Sequence, residues 1–413
     1  MTAGAPPAVT LLGFTVEDAM MREVLRREPT MPVQTHAFAW AVLDALRVAE
    51  CRTTVLSVPP VSTYPRYPQL VFRGGAVAQD TVDGALIPFV NLPLVRHATR
   101  FVGGCLTGLP ALRRWRSTVL LVHGVHSPFL WLGVLARAAT GTRIVAVLTD
   151  APGVRLPGEP RVLTALRRLD VAVVRAALRR YDGVVTVTED LARDFAPGRR
   201  SMLMEGIIGR PEGRPGSRPV RPAPAVKPPR ATFDIVYAGG LSRDYGVDRL
   251  VDAVRGMPDP DVRLLLFGRG RLDPWLHRQA AADPRIVAPE FVPRESLPDR
   301  LRTARVLVNP RPVDGDLARY GFPSKLLEYL DTGVPVVTTA LPCIPDAYRA
   351  GMVFAEADTA AGLAAAIARV RALPDADAGA IGAKGRELLR DRCGPARQGQ
   401  RLRRFFEELA ATR

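Results

Sequence analysis

A lysine at the predicted start of a helix is the residue whose type and position best suit chemistry. Pro323 fits the first turn of a helix and Gly333 fits the position just past its end, so a helix is predicted from about residue 323 to 332. Lys325 then falls in the first turn, where the helix dipole disfavours a cation by about 0.3–1 kcal/mol unless an anion is bound beside it. This position favours a phosphate-binding site.

The polar residues of this helix share one face. Ser324, Lys325 and Glu328 are three or four residues apart, and the apolar stripe consists of Leu326, Leu327 and Leu330. A surface ion pair between Lys325 and Glu328, worth a few tenths of a kcal/mol, is the alternative interpretation. Only three of the 57 Lys and Arg residues are lysines, so lysine is rare wherever arginine would serve. This rarity slightly favours the phosphate site.

Two histidines follow a buried strand in the first half of the chain. The pattern at 118–122 predicts a strand, followed by the sequence HGVHSP, a helix at about 129–139 and a strand at 143–148. This is a parallel β/α unit, and such sheets bind ligands at the carboxyl ends of their strands. His123 and His126 are therefore equally candidates for a functional site and for buried core histidines. Gly13, at the end of a first strand at 9–13, would let a ligand approach the backbone closely.

Alternating strands and helices are predicted along the rest of the chain. In the first half the strands are 55–58, 84–90 and 184–187, the helices are 33–50, 94–115, 159–182 and one from 189 onward, and 59–83 is predicted to be a long surface loop. In the second half the strands are 233–237, 262–267, 306–308 and 334–339, with a short one near 286, and the further helices are 247–255, 297–303, 360–372 and 378–413.

Length and composition predict two domains. The chain has 413 residues, of which 47% are hydrophobic, which is enough for substantial cores. Residues 211–230 are rich in Pro and Arg and predict an extended linker. We therefore expect a first domain at 1–210, a second at 231–390 and a C-terminal helix at 391–413 that packs on one of them. Two such halves would place a ligand in a cleft between them.

Cysteine usage and the first residues indicate a reducing compartment. The four cysteines lie far apart with no Cys-x-x-Cys pair, which argues against both a disulfide framework and a zinc site. The N-terminal stretch lacks the basic start and long apolar core of a secretory signal. We expect a cytoplasmic protein without a structural metal.

The net charge of +16 comes largely from the first half and the linker. Such a balance indicates acidic partners, either phosphorylated substrates or lipid headgroups. Nucleic acid is disfavoured, because aromatic residues make up only 6% and do not alternate with the arginines. The arginine-rich helix at 159–182 fits an anionic membrane surface. A solvated helix face and a coding bias towards arginine remain alternatives.

Four stretches together resemble one enzyme family. VHGVHSP, YDGVVTVTEDLA, YAGGLSRDYGVDRLVDA and GFPSKLLEYLDTGVPVVTT occur in the order and spacing of retaining glycosyltransferases of family 4, and are most similar to bacterial members that build exopolysaccharides or cell-surface glycans. The resemblance implies an α/β GT-B fold, in which two Rossmann-like β/α/β domains face a central cleft. It also implies transfer of a sugar, with retention of configuration and without a metal, from a UDP- or GDP-sugar. No cofactor would be bound permanently. The acceptor would be a glycan, including a lipid-linked one, at the cytoplasmic face of the membrane.

The resemblance also assigns roles to residues. Glu328 would bind the ribose hydroxyls of the donor, and His123 would lie near the donor sugar, with His126 as a close rival. Lys325, at the start of the helix, would stabilise the diphosphate. The full donor-binding set that we predict is Gly13, Gly239, Gly240, Arg243, Phe322, Pro323, Ser324, Lys325 and Glu328.

Three positions depart from the family pattern. Tyr320 stands where the family usually has a glutamate, and Gly240 and Tyr245 stand where it has an arginine and a lysine. The residues that we expect to replace the missing side chains are Arg243, Lys325 and Arg311 for the cations and Asp314 or Asp316 for the glutamate. These departures leave open a catalytically inactive nucleotide-binding or scaffold protein. Two further alternatives are a nucleotide-sugar epimerase of GT-B type and a protein that binds nucleic acid through its basic first half.

Overall fold

The computed structural model describes residues 6–28, 31, 34–153, 161–208, 232–293 and 296–411, with the side chains of residues 161–163 excluded. The predicted linker at 211–230 lies outside this part of the chain. Two compact units are present: Met1–Pro211 together with Pro395–Arg413, and Glu212–Gly394.

The first unit is built on a parallel sheet. Its strands are β1 (Ala8–Gly13), β2 (Arg52–Ser57), β3 (Val71–Phe72), β4 (Gly75–Gln79), β5 (Val82–Leu86), β6 (Phe89–Val90), β7 (Val119–His123), β8 (Arg143–Leu148), β9 (Gly183–Thr186) and β10 (Arg200–Leu203). Among the described residues, eight strands form the sheet in the order β10-β9-β8-β7-β1-β2-β5-β4, and β3 pairs with β6 separately. Every neighbouring pair in the sheet is parallel except β4 and β5. The central strand β1 is buried along its whole length, as a sheet covered on both faces requires.

Strand β4 corrects the prediction of a long surface loop at 59–83. It forms an antiparallel hairpin with β5, and the connecting residues Asp80 and Thr81 have φ values of 53° and 77°. Two positive φ values are typical of a two-residue hairpin turn, for which Asn-Gly is the usual signal. Asp-Thr does not carry that signal, so the hairpin was missed. The predicted strand at 84–90 is likewise divided into β5 and β6.

Six helices pack around this sheet in the described part of the first half. They are α1 (Asp18–Arg27), α2 (Gln34–Val48), α3 (Val95–Trp115), α4 (Ser127–Thr140), α5 (Arg161–Leu178) and α6 (Glu189–Phe195). Helix α4 packs against both α3 and α5. Helix α5 buries only some of its apolar side chains. Val174 and Leu178 are buried, whereas Leu166 and Leu169 are 51% and 62% exposed.

The second unit repeats the plan on a smaller scale. Its strands are β11 (Phe233–Ala238), β12 (Val262–Phe267), β13 (Val306–Asn309), β14 (Val336–Thr338) and β15 (Val353–Phe354), in the parallel order β12-β11-β13-β14-β15. Its helices are α7 (Val247–Gly256), α8 (Asp273–Ala282), α9 (Leu297–Arg302), α10 (Asp316–Tyr320), α11 (Ser324–Thr332), α12 (Ala360–Ala372) and α13 (Asp375–Cys393). Aliphatic residues of the strands and of α7 and α12 form the core, among them Leu250, Leu264 and Ile367. Near the predicted short strand, Ile286 forms a single parallel bridge with Leu264.

The last helix, α14 (Pro395–Ala411), belongs to the first unit. Its Leu402 and Phe406 lie in the same buried cluster as Trp40 of α2. The prediction of one continuous helix at 378–413 was wrong: the chain leaves the helical conformation at Gly394, whose ψ is 142°. The following proline explains the break, because a proline ring disfavours helical geometry in the residue before it.

Candidate active site

The predicted helix at 323–332 is confirmed as α11. Pro323 is its N-cap residue, and Gly333 ends it with a φ of 72°, a left-handed conformation that glycine adopts without strain. Leu326 and Leu330 are buried, whereas Ser324 and Glu328 are exposed. The predicted division of the helix into an apolar and a polar face is therefore observed.

The side chain of Lys325 turns back over the end of strand β11. Its Nζ atom donates a hydrogen bond to the hydroxyl of Tyr237, which in turn donates to the carbonyl of Gly240 with an O–O distance of 2.8 Å. The same Nζ atom lies 4.4 Å from the ring centroid of Tyr237 and 4.2 Å from that of Tyr245. Two aromatic faces and one neutral hydroxyl thus hold this ammonium group in place.

The surroundings of Lys325 favour its neutral form. Burial first, and then the nearby Arg311, lower its pKa from 10.5 to about 7, whereas Glu328 opposes the shift. An ammonium group that has lost water and gained a cationic neighbour is stabilised when an anion arrives. The site therefore has the electrostatic character of an anion-binding site.

The glycine loop after β11 makes room for this lysine. Gly239 has a φ of 145°, and a Cβ atom at this position would lie 2.1 Å from Cε of Lys325. At Gly240 a Cβ atom would lie 2.8 Å from the ring of Tyr245. Both glycines are needed for these two contacts, because any larger residue would displace the ring or the lysine.

A buried hydroxyl fastens helix α11 to strand β11. The Oη atom of Tyr329 accepts a hydrogen bond from the backbone N–H of Ala238 at 2.7 Å and donates one to the carbonyl of the same residue at 3.1 Å. Tyr329 lies one turn beyond Lys325 on the helix. The tyrosine therefore fixes the distance between the helix that carries the lysine and the loop that receives it.

Arg311 supplies a second cation to this region. It lies two residues after β13, is buried, and donates from Nη1 to the carbonyl of Gly321 at 2.7 Å, just before α11. Its guanidinium carbon is 5.7 Å from the ring centroid of Tyr245, which is therefore within cation–π distance of both cations. Its Nε atom is buried without a hydrogen-bond partner in the described residues. Burial lowers the pKa of Arg311 as well.

The other predicted residues of the second unit occupy different positions around this centre. Arg243 lies on a 3-10 turn, is 77% exposed, and pairs with Asp248 at 3.7 Å. Asp314 and Asp316 are exposed. Phe322 is half-buried, 6.3 Å from the ring of Tyr348. The contacts of Lys325 are thus with Tyr237, Tyr245 and Gly239, and Arg243 is directed towards Asp248 instead.

The two candidate histidines lie together at the carboxyl edge of the first unit's sheet. His123 ends β7, is buried next to Phe38, and has an Nε2 atom without a partner in the part of the chain described. Burial lowers its pKa to about 4, so the imidazole is neutral at pH 7. Gly13 brings the end of β1 close, because a Cβ atom there would lie 3.3 Å from Cβ of His123.

His126 begins the helix after β7 and packs against aromatic rings. Its ring centroid is 5.3 Å from that of Phe14 and 4.6 Å from that of Phe129. Burial first, and then the charge of Arg100, lower its pKa well below the ordinary value. Both histidines can therefore accept or donate a hydrogen bond at neutral pH but carry no charge.

The described residues offer neither a metal-binding cluster nor a membrane-spanning helix. They contain no group of three or more His, Cys, Asp or Glu side chains arranged to hold a metal ion. No helix in those residues combines the length and the apolar character that a membrane crossing requires.

A segment of the second unit is similar to a known protein family. Residues 232–372 match the family described as glycosyl transferases group 1. The matched segment contains α11, the glycine loop and Arg311. No curated protein sequence matches the chain.

Solved structures share the fold along nearly the whole chain. Sucrose-phosphate synthase from Thermosynechococcus elongatus has a TM-score of 0.66 at 16% identity, covering 98% of this chain and 100% of that one. The catalytic domain of starch synthase IV from Arabidopsis thaliana, bound to ADP and acarbose, has a TM-score of 0.62 at 11% identity with coverages of 98% and 100%. Anabaena HepE in complex with UDP has a TM-score of 0.60 at 12% identity with coverages of 97% and 100%.

The predicted fold class is confirmed. The chain has the α/β GT-B fold, with two Rossmann-like domains, each built on a parallel sheet. The match of residues 232–372 and this fold together support a GT-B glycosyltransferase.

Proposed function

We propose that this protein transfers a sugar from a nucleoside diphosphate sugar to an acceptor hydroxyl, with retention of configuration and without a metal. One observation carries the proposal: Lys325 and Arg311 converge at the start of α11 and at the carboxyl ends of β11 and β13. A diphosphate that binds there meets two cations and the positive end of a helix dipole. These groups stabilise the negative charge that the departing diphosphate gains in the transition state.

The position of Lys325 favours an active transferase over an inactive nucleotide-binding protein. By resemblance, Tyr245 occupies the place of a family lysine. The ammonium group of Lys325 lies 4.2 Å from the ring centroid of Tyr245, so a lysine charge reaches this place from another helix. The missing cation is thereby replaced rather than lost. Glu328, exposed one turn after Lys325, is the proposed acceptor for the ribose hydroxyls.

The acceptor is proposed to bind to the first unit, beside the two histidines. His123 and His126 are neutral at pH 7 and each has an Nε2 atom with no hydrogen-bond partner among the described residues. A neutral imidazole suits a sugar hydroxyl better than it suits a phosphate, since it forms a hydrogen bond without adding charge. On binding, either histidine would gain the partner that it now lacks.

A membrane-facing role for α5 is part of the proposal. Leu166 and Leu169 are exposed between arginines of the same helix, including the exposed Arg168. Helix α3, which packs against α4 as α5 does, carries Val102 and Leu106, which are also exposed. Apolar side chains flanked by arginine suit the interface of an anionic bilayer. We expect sedimentation with vesicles that contain an anionic lipid at low salt, and its absence would contradict this part.

A thermal-shift panel tests the donor assignment. UDP, GDP, ADP and their glucose conjugates are compared on the wild type, on Lys325→Met and on Lys384→Met, the last being an exposed lysine on α13. A ligand that binds the folded state raises its melting temperature. We expect one nucleotide to stabilise the wild type and Lys384→Met but not Lys325→Met. No shift with any nucleotide would refute the donor site.

The reaction is then tested with the nucleotide sugar that the panel selects. Release of the nucleoside diphosphate, dependent on an acceptor and persisting in a metal chelator, would support a metal-independent transferase. Conversion of the sugar without any acceptor would indicate an epimerase. Binding without consumption would indicate the inactive alternative. The anomeric configuration of the product, read by NMR, decides between retention and inversion.

A further inference from the structure

A buried arginine of the first unit has no hydrogen-bond partner among the described residues. The guanidinium group of Arg100, on α3, is 0% exposed, and its Nε, Nη1 and Nη2 atoms make no hydrogen bond within the described residues. Its central carbon lies 4.5 Å from the ring centroid of Phe89 and 5.3 Å from that of Phe14. Two aromatic faces are therefore its immediate neighbours.

This arrangement is costly without a ligand. The cost of burying a charge without a hydrogen-bonded counter-ion exceeds what cation–π contacts return. Burial and the neighbouring Arg96 lower the pKa of Arg100 to about 9, which still leaves it protonated at neutral pH. Since packing alone does not require a cation here, the arginine is better explained by an anion that is bound in another state of the protein.

Phe14, which contacts Arg100, also lines a cavity of the first unit. Its volume is about 570 Å³, and it opens at the carboxyl ends of β1 and β2, the edge where parallel sheets bind ligands. The lining includes Phe14, His36, Ser62, Thr63, Arg66 and Arg96.

The cavity is rich in positive charge. Arg96 lies one helical turn before Arg100, donates to Thr63, and has a buried Nε atom without a partner among the described residues. Arg66 approaches the carboxylate of Glu28 at 3.8 Å, and Glu28 also accepts a hydrogen bond from the backbone of Ser62. Glu28 and Asp18, which lies 3.1 Å from Nε2 of His36, are two carboxylates against three arginines, which leaves room for an additional anion.

We propose that this cavity binds the phosphate group of a phosphorylated acceptor, and that Phe14 swings aside so that Arg100 and Arg96 pair with the phosphate oxygens. The proposal rests on the glycosyl transfer proposed above and names the class of its acceptor. Arginine suits the role because its planar fork binds two phosphate oxygens at once. The phosphate belongs either to a soluble sugar phosphate or to the headgroup of a lipid carrier.

Calorimetric titration of the full-length protein tests the proposal. The probes are glucose 6-phosphate and geranyl phosphate, each compared with its neutral counterpart, glucose or geraniol. We expect one of the two esters to bind saturably and its neutral counterpart not to bind. Binding of the sugar phosphate assigns a soluble acceptor, and binding of the geranyl ester assigns a lipid carrier. Binding of neither ester would overturn the proposal.

Variants locate the phosphate. Arg100→Met removes the charge while keeping an apolar side chain of similar length, and it should weaken ester binding at least tenfold without lowering the melting temperature. Arg114→Met, at the exposed far end of the same helix, is the matched control and should change the affinity less than twofold. Should Arg100→Met not fold, Arg96→Gln provides the same test from the cavity wall. Unchanged ester binding in these variants would overturn the proposal.

Two further measurements separate this inference from the rest of the function. Arg100→Met should bind the stabilising nucleotide of the thermal-shift panel as the wild type does, because that site lies in the second unit. Phe14→Ala should accelerate association of the ester, since no ring then has to move. An unchanged association rate would refute the proposed movement of Phe14. Loss of ester binding with nucleotide binding intact therefore concerns the cavity alone.

Discussion

The Nζ atom of Lys325 lies 4.2 Å from the ring centroid of Tyr245, although the two residues belong to different elements of the second unit. One side chain comes from the first turn of α11 and the other from the 3-10 turn that precedes α7. The contact holds the lysine at the carboxyl end of β11. The loop after β11 therefore receives its cation from α11 rather than from its own sequence.

The affinity for a nucleoside diphosphate should fall as the pH rises above 7. The pKa of Lys325 is about 7 in the free protein, and a bound diphosphate favours its protonated form, so binding takes up a proton above this pH. We expect the dissociation constant to rise up to about tenfold per pH unit until the pKa of the complex is reached. Calorimetry at pH 6.5 to 8.5, in buffers of different ionisation enthalpy, measures both the affinity and the proton uptake.

Two lysine variants control this experiment. Lys325→Met should bind weakly at every pH and take up no proton, because the titrating group is gone. Lys384→Met, in which an exposed lysine beside Glu387 is removed, should keep the pH profile of the wild type. A profile that survives in Lys325→Met would mean that another group titrates.

Gly239→Ala should impair diphosphate binding although it replaces no charged residue. The new methyl group would lie 2.1 Å from Cε of Lys325, and the φ of 145° is strained for alanine. The lysine must therefore move, and we expect a loss of affinity of at least tenfold. Gly256→Ala is the matched control, because a Cβ atom there meets nothing within 4 Å. Equal affinities in the two variants would show that the position of Lys325 does not matter.

Tyr329→Phe should destabilise the second unit. Loss of the hydroxyl leaves the buried N–H and carbonyl of Ala238 without this partner, and each unpaired group costs about 1–3 kcal/mol. We expect the free energy of unfolding of this unit to fall by about 2 kcal/mol, measured by urea denaturation. Tyr64→Phe, which changes a tyrosine that is 40% exposed, should have no measurable effect.

Phe406→Ala should destabilise the first unit. Phe406 is buried in the same cluster as Trp40, and truncation of a buried phenylalanine costs about 3–5 kcal/mol. Arg404→Ala introduces alanine at an exposed position of the same helix and controls for the change in helix propensity. Hydrogen exchange should show faster opening of β1 and α2 in Phe406→Ala alone. A variant that instead loosens only the second unit would contradict the assignment of α14.

The sequence predicted those parts of the fold that depend on local patterns. Buried parallel strands such as β7 and β8 were found because their apolar runs are continuous and bounded by turn residues. The start of α11 was found from Pro323 and Gly333, which have fixed roles at helix ends. The β4–β5 hairpin was missed, since its turn lacks glycine and asparagine.

The site was only partly predictable, because its contacts join residues that are distant in sequence. The position of Lys325 marked it as a ligand for an anion, but no local signal indicated that it would contact Tyr237, 88 residues earlier. Tyr329 was likewise hidden within an ordinary helical pattern. Arg100 was not singled out from the sequence, and only the structure shows that it is buried without a hydrogen-bond partner among the described residues.

The path of α14 has a consequence for the order in which the protein forms during synthesis. The core around β1 needs Leu402, Phe405 and Phe406, and the ribosome adds these residues only after the whole of the second unit. The second unit, which is continuous in sequence, can therefore complete its packing first. Until then the nascent first unit exposes the apolar groove that α14 will fill, and this is the stage at which a chaperone would have something to bind.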